Sequence, residues 1–263
     1  MTSIVMLSFN HLTYTRQCLE SLWRETRTPY ELIIVDNGSE GETVDYLGGL
    51  RCQGPYARDI SLILNHENLG IARAWNQGIK AARGREICII NNDLVLTRDW
   101  LGKLLGYLGE HPGVGIVSPH VTDGEPPPDL AAYAAAHEAS RGHEEEDGFH
   151  GCCFLLTRPL IEAVGLFDEQ FEVATWEDVD YRHRARLAGF EARVTHRSVI
   201  HHYGSTTIQD ISRQRGGNDF YLQNADRFAR KWGITLGRFT VSRSTLYLIE
   251  DGEVKPFEGL PSG

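Results

Sequence analysis

One apolar stretch that ends in three short polar side chains constrains the fold of this chain more than any other feature. Residues 87–90 read Ile-Cys-Ile-Ile, and Asn91, Asn92 and Asp93 follow directly. A continuous apolar run of this length is typical of an inner strand of a parallel sheet rather than of an amphipathic helix. Ligands of open α/β sheets bind beyond the carboxyl ends of the strands. We therefore expect a buried strand whose polar end, at Asp93, faces a ligand or caps the next helix.

The first half of the chain alternates apolar segments with helical ones. Such alternation predicts parallel strands joined by right-handed crossovers in a three-layer α/β/α sandwich with a mostly parallel central sheet. Polar residues follow the strands repeatedly, which predicts the rim of a crevice. The predicted strands are 3–8, 31–35, 60–64, 87–91 and 114–118, and the predicted helices are 12–25, 42–50, 70–83 and 98–110.

The second half is less regular. Residues 119–148 read as an insertion beside the crevice, and the acidic run 144–147 within it predicts a solvated, mobile loop or a wall of a second substrate's site. Gly151, inside a predicted strand, marks a close approach of the backbone to something else. The remaining predictions are a short helix at 131–139, a strand at 149–156, a helix from Trp176 to Gly189, strands at 191–195 and 198–201, a phosphate-gripping loop at 206–217, a helix at 218–231 and a β-like tail at 236–256.

Two pairs of neighbouring polar residues are candidates for chemistry. Glu177 and Asp178 open a predicted helix, whose dipole favours their ionised forms. Asp180 lies on roughly the opposite side of that helix from Asp178, so only one of these two can face the crevice. His201 and His202 end a predicted strand, where successive side chains alternate faces, so that one of them can point into the site.

Composition narrows the function classes. The formal net charge of −10 argues against a nucleic-acid partner. No run of 18 apolar residues occurs in the sequence, so no membrane span is predicted. Five cysteines without a C-x-x-C pair, and an N-terminus that opens directly on a strand, predict reduced thiols in the cytoplasm, with peripheral binding at the inner face of the membrane left open.

The ordered motifs resemble the family 2 inverting, metal-dependent nucleotide-sugar glycosyltransferases with the GT-A fold. The resemblance implies one GT-A domain at 1–232, with a nucleotide-binding half at about 1–118 and an acceptor-side half at about 119–232, and a C-terminal tail at 233–263. The motifs that carry it are Ser8-Phe9-Asn10, Ile34 to Ser39, Asn68 to Gly78, Asn91-Asn92-Asp93, Gly165 to Glu169, Trp176 to Asp180, and Val199 to His202.

The resemblance also implies residue roles. Asp93 stands at the family's metal-binding D-x-D position, with Asn91 replacing the first Asp, and His201 matches a second ligand of Mn²⁺ or Mg²⁺, with His202 as the alternative. Asp178 matches the general base. The implied donor-nucleotide contacts are Ser8, Asn10, Asp36, Asn68, Gly70, Asn76, Asn91 and Asn92, and the implied donor-sugar or acceptor contacts are Gly151, Trp176 and Glu177.

The function implied is transfer of a hexosyl or deoxyhexosyl group from a UDP- or dTDP-linked sugar to a hydroxyl of a glycan or small-molecule acceptor, as in polysaccharide biosynthesis. A homodimer is compatible with this. A sugar-phosphate nucleotidyltransferase would need a Gly-rich loop with a basic residue after the first strand, and Ser8 to His11 supplies none. A non-catalytic sugar-binding module is disfavoured by the joint presence of Asp93, Asp178 and His201.

Overall fold

The structure is a computed structural model that describes residues 1–204 and 219–233 with their side chains, and the backbone of three strands in the C-terminal segment. The helices are α1 (Leu12–Glu25), α2 (Glu42–Gly48), α3 (Ile71–Ala81), α4 (Trp100–Glu110), α5 (Leu130–Arg141), α6 (Arg158–Val164), α7 (Glu177–Leu187) and α8 (Asp219–Trp232). The strands are β1 (Thr2–Ser8), β2 (Tyr30–Asp36), β3 (Ala57–Leu64), β4 (Glu86–Asn91), β5 (Leu94–Leu96), β6 (Val114–Asp123), β7 (Glu145–Asp147), β8 (Cys153–Thr157), β9 (Glu191–His202), β10 (Arg238–Ser242), β11 (Thr245–Glu250) and β12 (Glu253–Pro256).

The main sheet confirms the predicted mixed α/β architecture. Its strand order is β3-β2-β1-β4-β8-β6-β9-β5, with β7 added to β9. Strands β3, β2, β1 and β4 are mutually parallel, as are β6 and β9, whereas β8 runs antiparallel to both of its neighbours. Parallel strands therefore bring the ends of β1, β2 and β4 to one edge.

The two faces of the sheet are covered by different helices. Alternate residues of β1 show this division, because Ile4 and Met6 pack with side chains of α1, α2 and α4, while Val5 packs with side chains of α3, α6 and α7. Strand side chains alternate faces, so a strand with helices on both sides must be apolar throughout. This requirement is the physical reason for the continuous apolar runs.

Four sequence-based boundaries are corrected by the structure. Residues 94–96 form β5, so α4 begins at Trp100. The two strands predicted at 191–195 and 198–201 are one irregular strand, β9, and β6 continues to Asp123. The acidic run predicted as a mobile loop contains β7, which pairs with β9. Its Asp147 also forms ion pairs with Arg182 and Arg193, which hold the run against the fold.

Helix α3 packs closely against the sheet at Gly78. A Cβ added at Gly78 would lie 2.1 Å from Val5 Cγ1. We expect Gly78→Ala to lower the free energy of unfolding by about 1–3 kcal/mol, the usual cost of overpacking a core. The control is Gly106→Ala in α4, where an added Cβ meets nothing within 4 Å. It should raise stability by about 0.5–1 kcal/mol. Urea denaturation of both variants checks this, and equal midpoints would contradict it.

The C-terminal strands form a separate antiparallel sheet in the order β10-β11-β12. The phosphate-gripping loop predicted at 206–217 lies outside the described residues. None of the described helices is both long and apolar enough to cross a membrane.

Candidate active site

The first part of the crevice rim is the parallel ends of β1 and β2, where Ser8 lies opposite Asp36. The Asp36 carboxylate accepts hydrogen bonds from the Ser39 backbone N–H at 3.0 Å and from Ser39 Oγ at 2.5 Å. Ser8 Oγ is buried, and nothing among the described residues hydrogen-bonds to it. A buried hydroxyl without a partner costs free energy, so Ser8 Oγ is a group that a ligand would satisfy.

Several predicted donor contacts hold the loops of the rim together. Asn10 Oδ1 accepts from the Glu40 N–H at 3.0 Å, and Asn68 Oδ1 accepts from Asn37 Nδ2 at 2.9 Å. Asn92 Nδ2 donates to Thr15 Oγ1 at 2.8 Å. These hydrogen bonds link successive strand-end loops, so the amides shape the crevice wall. The prediction that Asn10, Asn68 and Asn92 also contact the donor nucleotide stays a prediction.

Asn76 and Gly70 also serve the scaffold. Asn76 is 1% exposed and bonds both backbone polar groups of Phe167, donating to its carbonyl and accepting from its N–H, each at 2.9 Å. Gly70 has φ +85°, and a Cβ there would lie 3.0 Å from Val173 N. Both residues therefore fix the loops after α6, and their predicted role as donor contacts stays a prediction. Asn91 ends β4 and donates its N–H to the Cys152 carbonyl at 2.9 Å.

The second part of the site is a line of three side chains, of which Asp93 and His202 are buried and Asp123 is exposed. Asp93, 5% exposed, follows β4, and its Oδ1 lies 3.3 Å from His202 Nε2. On the other side of the ring, His202 Nδ1 lies 3.1 Å from Asp123 Oδ1. The pairing of β9 with both β5 and β6 brings the three together. Burial disfavours the charged imidazole, but the Cys152 thiol and the two carboxylates together raise the pKa of His202.

His202 is therefore the histidine beside Asp93, whereas the sequence-based choice of metal ligand was His201 with His202 as the alternative. The ring of His201 is buried, its Nδ1 lies 3.0 Å from Thr122 Oγ1, and it packs edge-on against Tyr203. Alternation along β9 separates the two neighbouring rings. Asp123 was not foreseen, because the predicted strand stopped at residue 118.

The Asp93–His202 pair fits a divalent cation. Two neighbouring ligands of an octahedral ion, each about 2.1 Å from the metal, are about 3.0 Å apart, close to the observed 3.3 Å. An imidazole nitrogen favours Mn²⁺ over Mg²⁺, which binds oxygen ligands. Asp123 at the far nitrogen matches the carboxylate that commonly orients a metal-bound histidine.

The third part of the site is the N-terminus of α7. Asp178 is half-buried, and its Oδ1 accepts from the Val179 N–H at 2.8 Å. A Cβ placed on Gly151 would lie 3.4 Å from Asp178 Oδ2, so the glycine leaves the carboxylate accessible from that side. Cys152, the next residue, lies close enough to His202 for each to affect the pKa of the other. Asp178 and the Asp93–His202 pair therefore flank the same turn.

Glu177 is the more deeply buried acid, at 3% exposed. Its Oε2 has no hydrogen-bond partner among the described residues. Burial and then the charge of Asp178 raise the pKa of Glu177 well above its ordinary value. Burial also raises the pKa of Asp178, against the opposing effects of the Val179 N–H and of Arg182. Two adjacent carboxyls that resist ionisation are typical of functional sites.

The backbone before α7 is strained. Val173, Thr175 and Trp176 have φ of +68°, +77° and +69°, in the left-handed region that β-branched residues avoid. Asn224 Nδ2, from α8, donates to the carbonyls of Ala174 and Thr175 at 2.9 and 3.2 Å and so stabilises this conformation. Trp176 is 1% exposed and packs on Phe228 of α8, and its predicted role as a sugar or acceptor contact stays a prediction.

Asp180 faces away from Asp178, as the helical spacing predicted, but it is fully buried rather than on the surface. Its carboxylate bonds Arg184 at 2.9 Å, Lys231 at 2.7 Å and Trp232 Nε1 at 3.0 Å. We expect Asp180→Asn to lower the free energy of unfolding by about 3–5 kcal/mol, because the half-buried Arg184 and Lys231 lose their fully buried charged partner.

The matched control is Asp226→Asn, which breaks the exposed pair with Arg230 on α8. Its expected cost is below about 1 kcal/mol. Guanidinium denaturation curves of the two variants measure both effects. Equal stabilities of Asp180→Asn and wild type would show that the buried cluster does not hold α7 to α8.

The geometry agrees with the comparison to protein families. Residues 3–165 match the model described as glycosyl transferase family 2, which is more than half of the chain. The chain belongs to this family. Glycosyltransferase YwdF of Bacillus subtilis (strain 168), itself uncharacterized, is 28% identical over 263 residues, covering 96% of this chain and 91% of YwdF.

Other relatives match over part of their length. Protein y4gI of Sinorhizobium fredii (strain NBRC 101917 / NGR234), also uncharacterized, is 24% identical over 256 residues, which is 88% of this chain and 27% of y4gI. The putative glycosyltransferase EpsH of B. subtilis (strain 168) is 33% identical over 110 residues, 41% of this chain and 30% of EpsH. The chain thus spans less than a third of y4gI and of EpsH.

Solved structures confirm the GT-A fold. GalNAc-T7 with UDP, GalNAc and Mn²⁺ superposes with a TM-score of 0.59 at 14% identity, covering 77% of this chain and 44% of that chain. The mannosyltransferase PcManGT from Pyrobaculum calidifontis, in complex with GDP-Man and Mn²⁺, gives 0.55 at 20% identity, covering 76% and 56%. S. aureus TarS gives 0.57 at 16%, covering 81% and 38%.

Proposed function

We propose that the protein is a metal-dependent inverting glycosyltransferase. In this proposal it transfers a hexosyl or deoxyhexosyl group from a UDP- or dTDP-sugar to a hydroxyl of a glycan or small-molecule acceptor. The observation that carries the proposal is the buried Asp93–His202 pair with Asp123 at the far nitrogen of the ring, and Asp178 on the other side of the turn at Gly151. Membership of glycosyl transferase family 2 supports it.

The donor nucleotide is assigned to the edge formed by β1 and β2. Asp36 accepts two hydrogen bonds from Ser39, and each carboxylate oxygen retains a further lone pair for a base N–H. Ser8 lies opposite Asp36 in the strand register, and its hydroxyl has no hydrogen-bond partner among the described residues. Uracil and thymine both present such an N–H, so these contacts suit either pyrimidine.

The groups assigned to the leaving diphosphate and to the acceptor hydroxyl lie on two sides of the turn at Gly151. A divalent cation held by Asp93 and His202 would neutralise the charge of the leaving diphosphate without a proton. Asp178 takes the proton of the acceptor hydroxyl while the oxygen of that hydroxyl attacks the anomeric carbon. The raised pKa of Asp178 strengthens it as a base. One displacement inverts the anomeric carbon, whereas retention by double displacement would require a separate nucleophile.

Glu177 is assigned to substrate contact rather than to proton transfer. Its Oε2 is buried and has no hydrogen-bond partner in the described part of the chain, and burial and the charge of Asp178 raise the pKa of its carboxyl. A sugar hydroxyl that reaches Glu177 would satisfy that oxygen. Gly151, beside Asp178, leaves room for the acceptor. These two assignments keep the base and the sugar contact on adjacent residues of α7.

The function is tested by incubating the protein with Mn²⁺ and a panel of UDP-, dTDP-, GDP- and CMP-sugars and measuring the free nucleotide released. We expect release of UDP or dTDP, and a product of inverted anomeric configuration by NMR when an acceptor is found. Formation of nucleotide sugar from sugar phosphate and nucleoside triphosphate would instead support a nucleotidyltransferase. Binding without turnover of any donor would support a binding module.

A further inference from the structure

Three histidines outside the candidate active site come together from three elements of the fold. His120 lies on β6, His137 on α5 and His196 on β9, and one ring nitrogen of each lies within 4.8 Å of the others. His137 and His196 are 8% and 0% exposed, while His120 is half-buried. The half-buried position of His120 gives the cluster a route to solvent.

An irregularity in β9 produces this arrangement. Pro119 pairs with Thr195, but His120, the next residue of β6, pairs with Val199, so residues 196–198 bulge out of the ladder. The bulge turns His196 toward the insertion, where the backbone N–H of His196 donates to the Glu144 carbonyl at 3.3 Å. A bulge that re-aims one side chain commonly has a functional reason.

The hydrogen bonds determine which nitrogen of His196 is available. His196 Nε2 lies 2.8 Å from Glu146 Oε1, so the proton is on Nε2 and the Nδ1 lone pair points to the other rings. Nδ1 lies 2.9 Å from His137 Nε2, whose N–H donates to it. A carboxylate on the outer nitrogen is the usual arrangement around a metal-bound histidine, because it fixes the tautomer and raises the basicity of the ligand atom.

Small adjustments would give the spacing of a tetrahedral site. Ligands about 2.0–2.1 Å from a zinc ion are about 3.3 Å apart, so the 2.9 Å contact between His137 and His196 must open by a few tenths of an ångström, and the wider separations, of up to 4.8 Å, must close. The His120 ring stacks on those of His137 and His196 at interplanar angles of 16° and 26°. The rings must therefore also turn about χ2 to direct their lone pairs at one point.

We propose that His120, His137 and His196 bind one transition-metal ion of the Zn²⁺ class, with water in the fourth position. Three imidazoles select such an ion over Mg²⁺ or Ca²⁺. His120 is three residues from Asp123 along β6, about 10 Å, so this site is separate from the Asp93–His202 pair. The metal would fasten the helix of the insertion, α5, to β6 and β9 beside the crevice.

The test uses the full-length chain with Asp93→Asn, which disables the other candidate metal site, after treatment with a chelator. Co²⁺ is added as the probe, and visible absorption and bound metal are measured. We expect one Co²⁺ per chain with the intense bands of a tetrahedral site. Glu146→Ala, in this background, should weaken Co²⁺ binding by about 10–100-fold, and His137→Gln by more. Unchanged binding in both variants would overturn the proposal, as would the absence of tetrahedral bands before mutation.

His143→Gln, an exposed histidine of the same insertion, is the control and should bind Co²⁺ normally. Glu146 is 59% exposed in its side chain, so its replacement should not prevent folding. A measurement without ligand mutations is X-ray absorption of the Zn²⁺-loaded Asp93→Asn chain. It should show three imidazoles around the metal, and one imidazole or none would contradict the assignment.

Discussion

Replacing Asp178 by asparagine should lower the rate of sugar transfer by about 10²–10⁴-fold, the usual contribution of a general base. The amide keeps the shape of the side chain and can still accept from the Val179 N–H, but it cannot take a proton. Donor affinity should stay nearly unchanged, because Asp178 lies across the turn from the Asp93–His202 pair. Nucleotide release under saturating donor and calorimetric donor binding measure the two quantities.

Asp180→Asn is the control for Asp178→Asn, since it should reduce stability and leave the rate per folded molecule intact. The pH profile gives a second check. Burial raises the pKa of Asp178, so the base becomes protonated at a higher pH than an ordinary aspartate. As the pH is lowered, activity should therefore fall at a pH above the ordinary pKa of an aspartate. Near-wild-type transfer by Asp178→Asn, together with an inactive Glu177→Gln, would assign the base to Glu177 instead.

Asp93→Ala is expected to lower turnover by at least about 10³-fold, because charge neutralisation at the leaving diphosphate contributes several kcal/mol. It should also remove the effect of Mn²⁺ on nucleotide binding. The side chain is buried beside His202, so circular dichroism must first establish that the variant folds. The control is Asp45→Ala on the exposed face of α2, which should keep full activity. Turnover of Asp93→Ala within tenfold of wild type would contradict the metal-binding role.

The strands of the first half were predictable because a strand that packs against helices on both faces appears in the sequence as a continuous apolar run. In β1, Ile4 and Met6 contact one layer of helices and Val5 contacts the other, so each position must be apolar. The ends of β1, β2 and β4 were predictable for the same reason, since polar residues begin where the double burial stops. The register of β9 could not be predicted, because its bulge depends on pairing with β6, more than 70 residues earlier in the chain.

The roles of polar residues at the strand ends could not be read from residue type. An amide such as Asn76 suits a donor contact and a loop clamp equally well, and only the fold shows that it makes two hydrogen bonds to Phe167. The choice between His201 and His202 depended on which ring β9 turns toward Asp93. Asp123 lay past the predicted end of its strand. Pairings between distant segments, absent from any local pattern, therefore determine most of the site.

Calorimetric titration of UDP and dTDP into the protein, with and without Mn²⁺, tests the role of the Asp93–His202 pair most directly. Mn²⁺ should strengthen nucleotide binding in the wild type and in His201→Gln, whose ring bonds Thr122 instead. In His202→Gln the strengthening should be lost, since the imidazole 3.3 Å from Asp93 is gone. Equal affinity with and without Mn²⁺ in the wild type, or a loss in His201→Gln with His202→Gln unaffected, would contradict the proposed site.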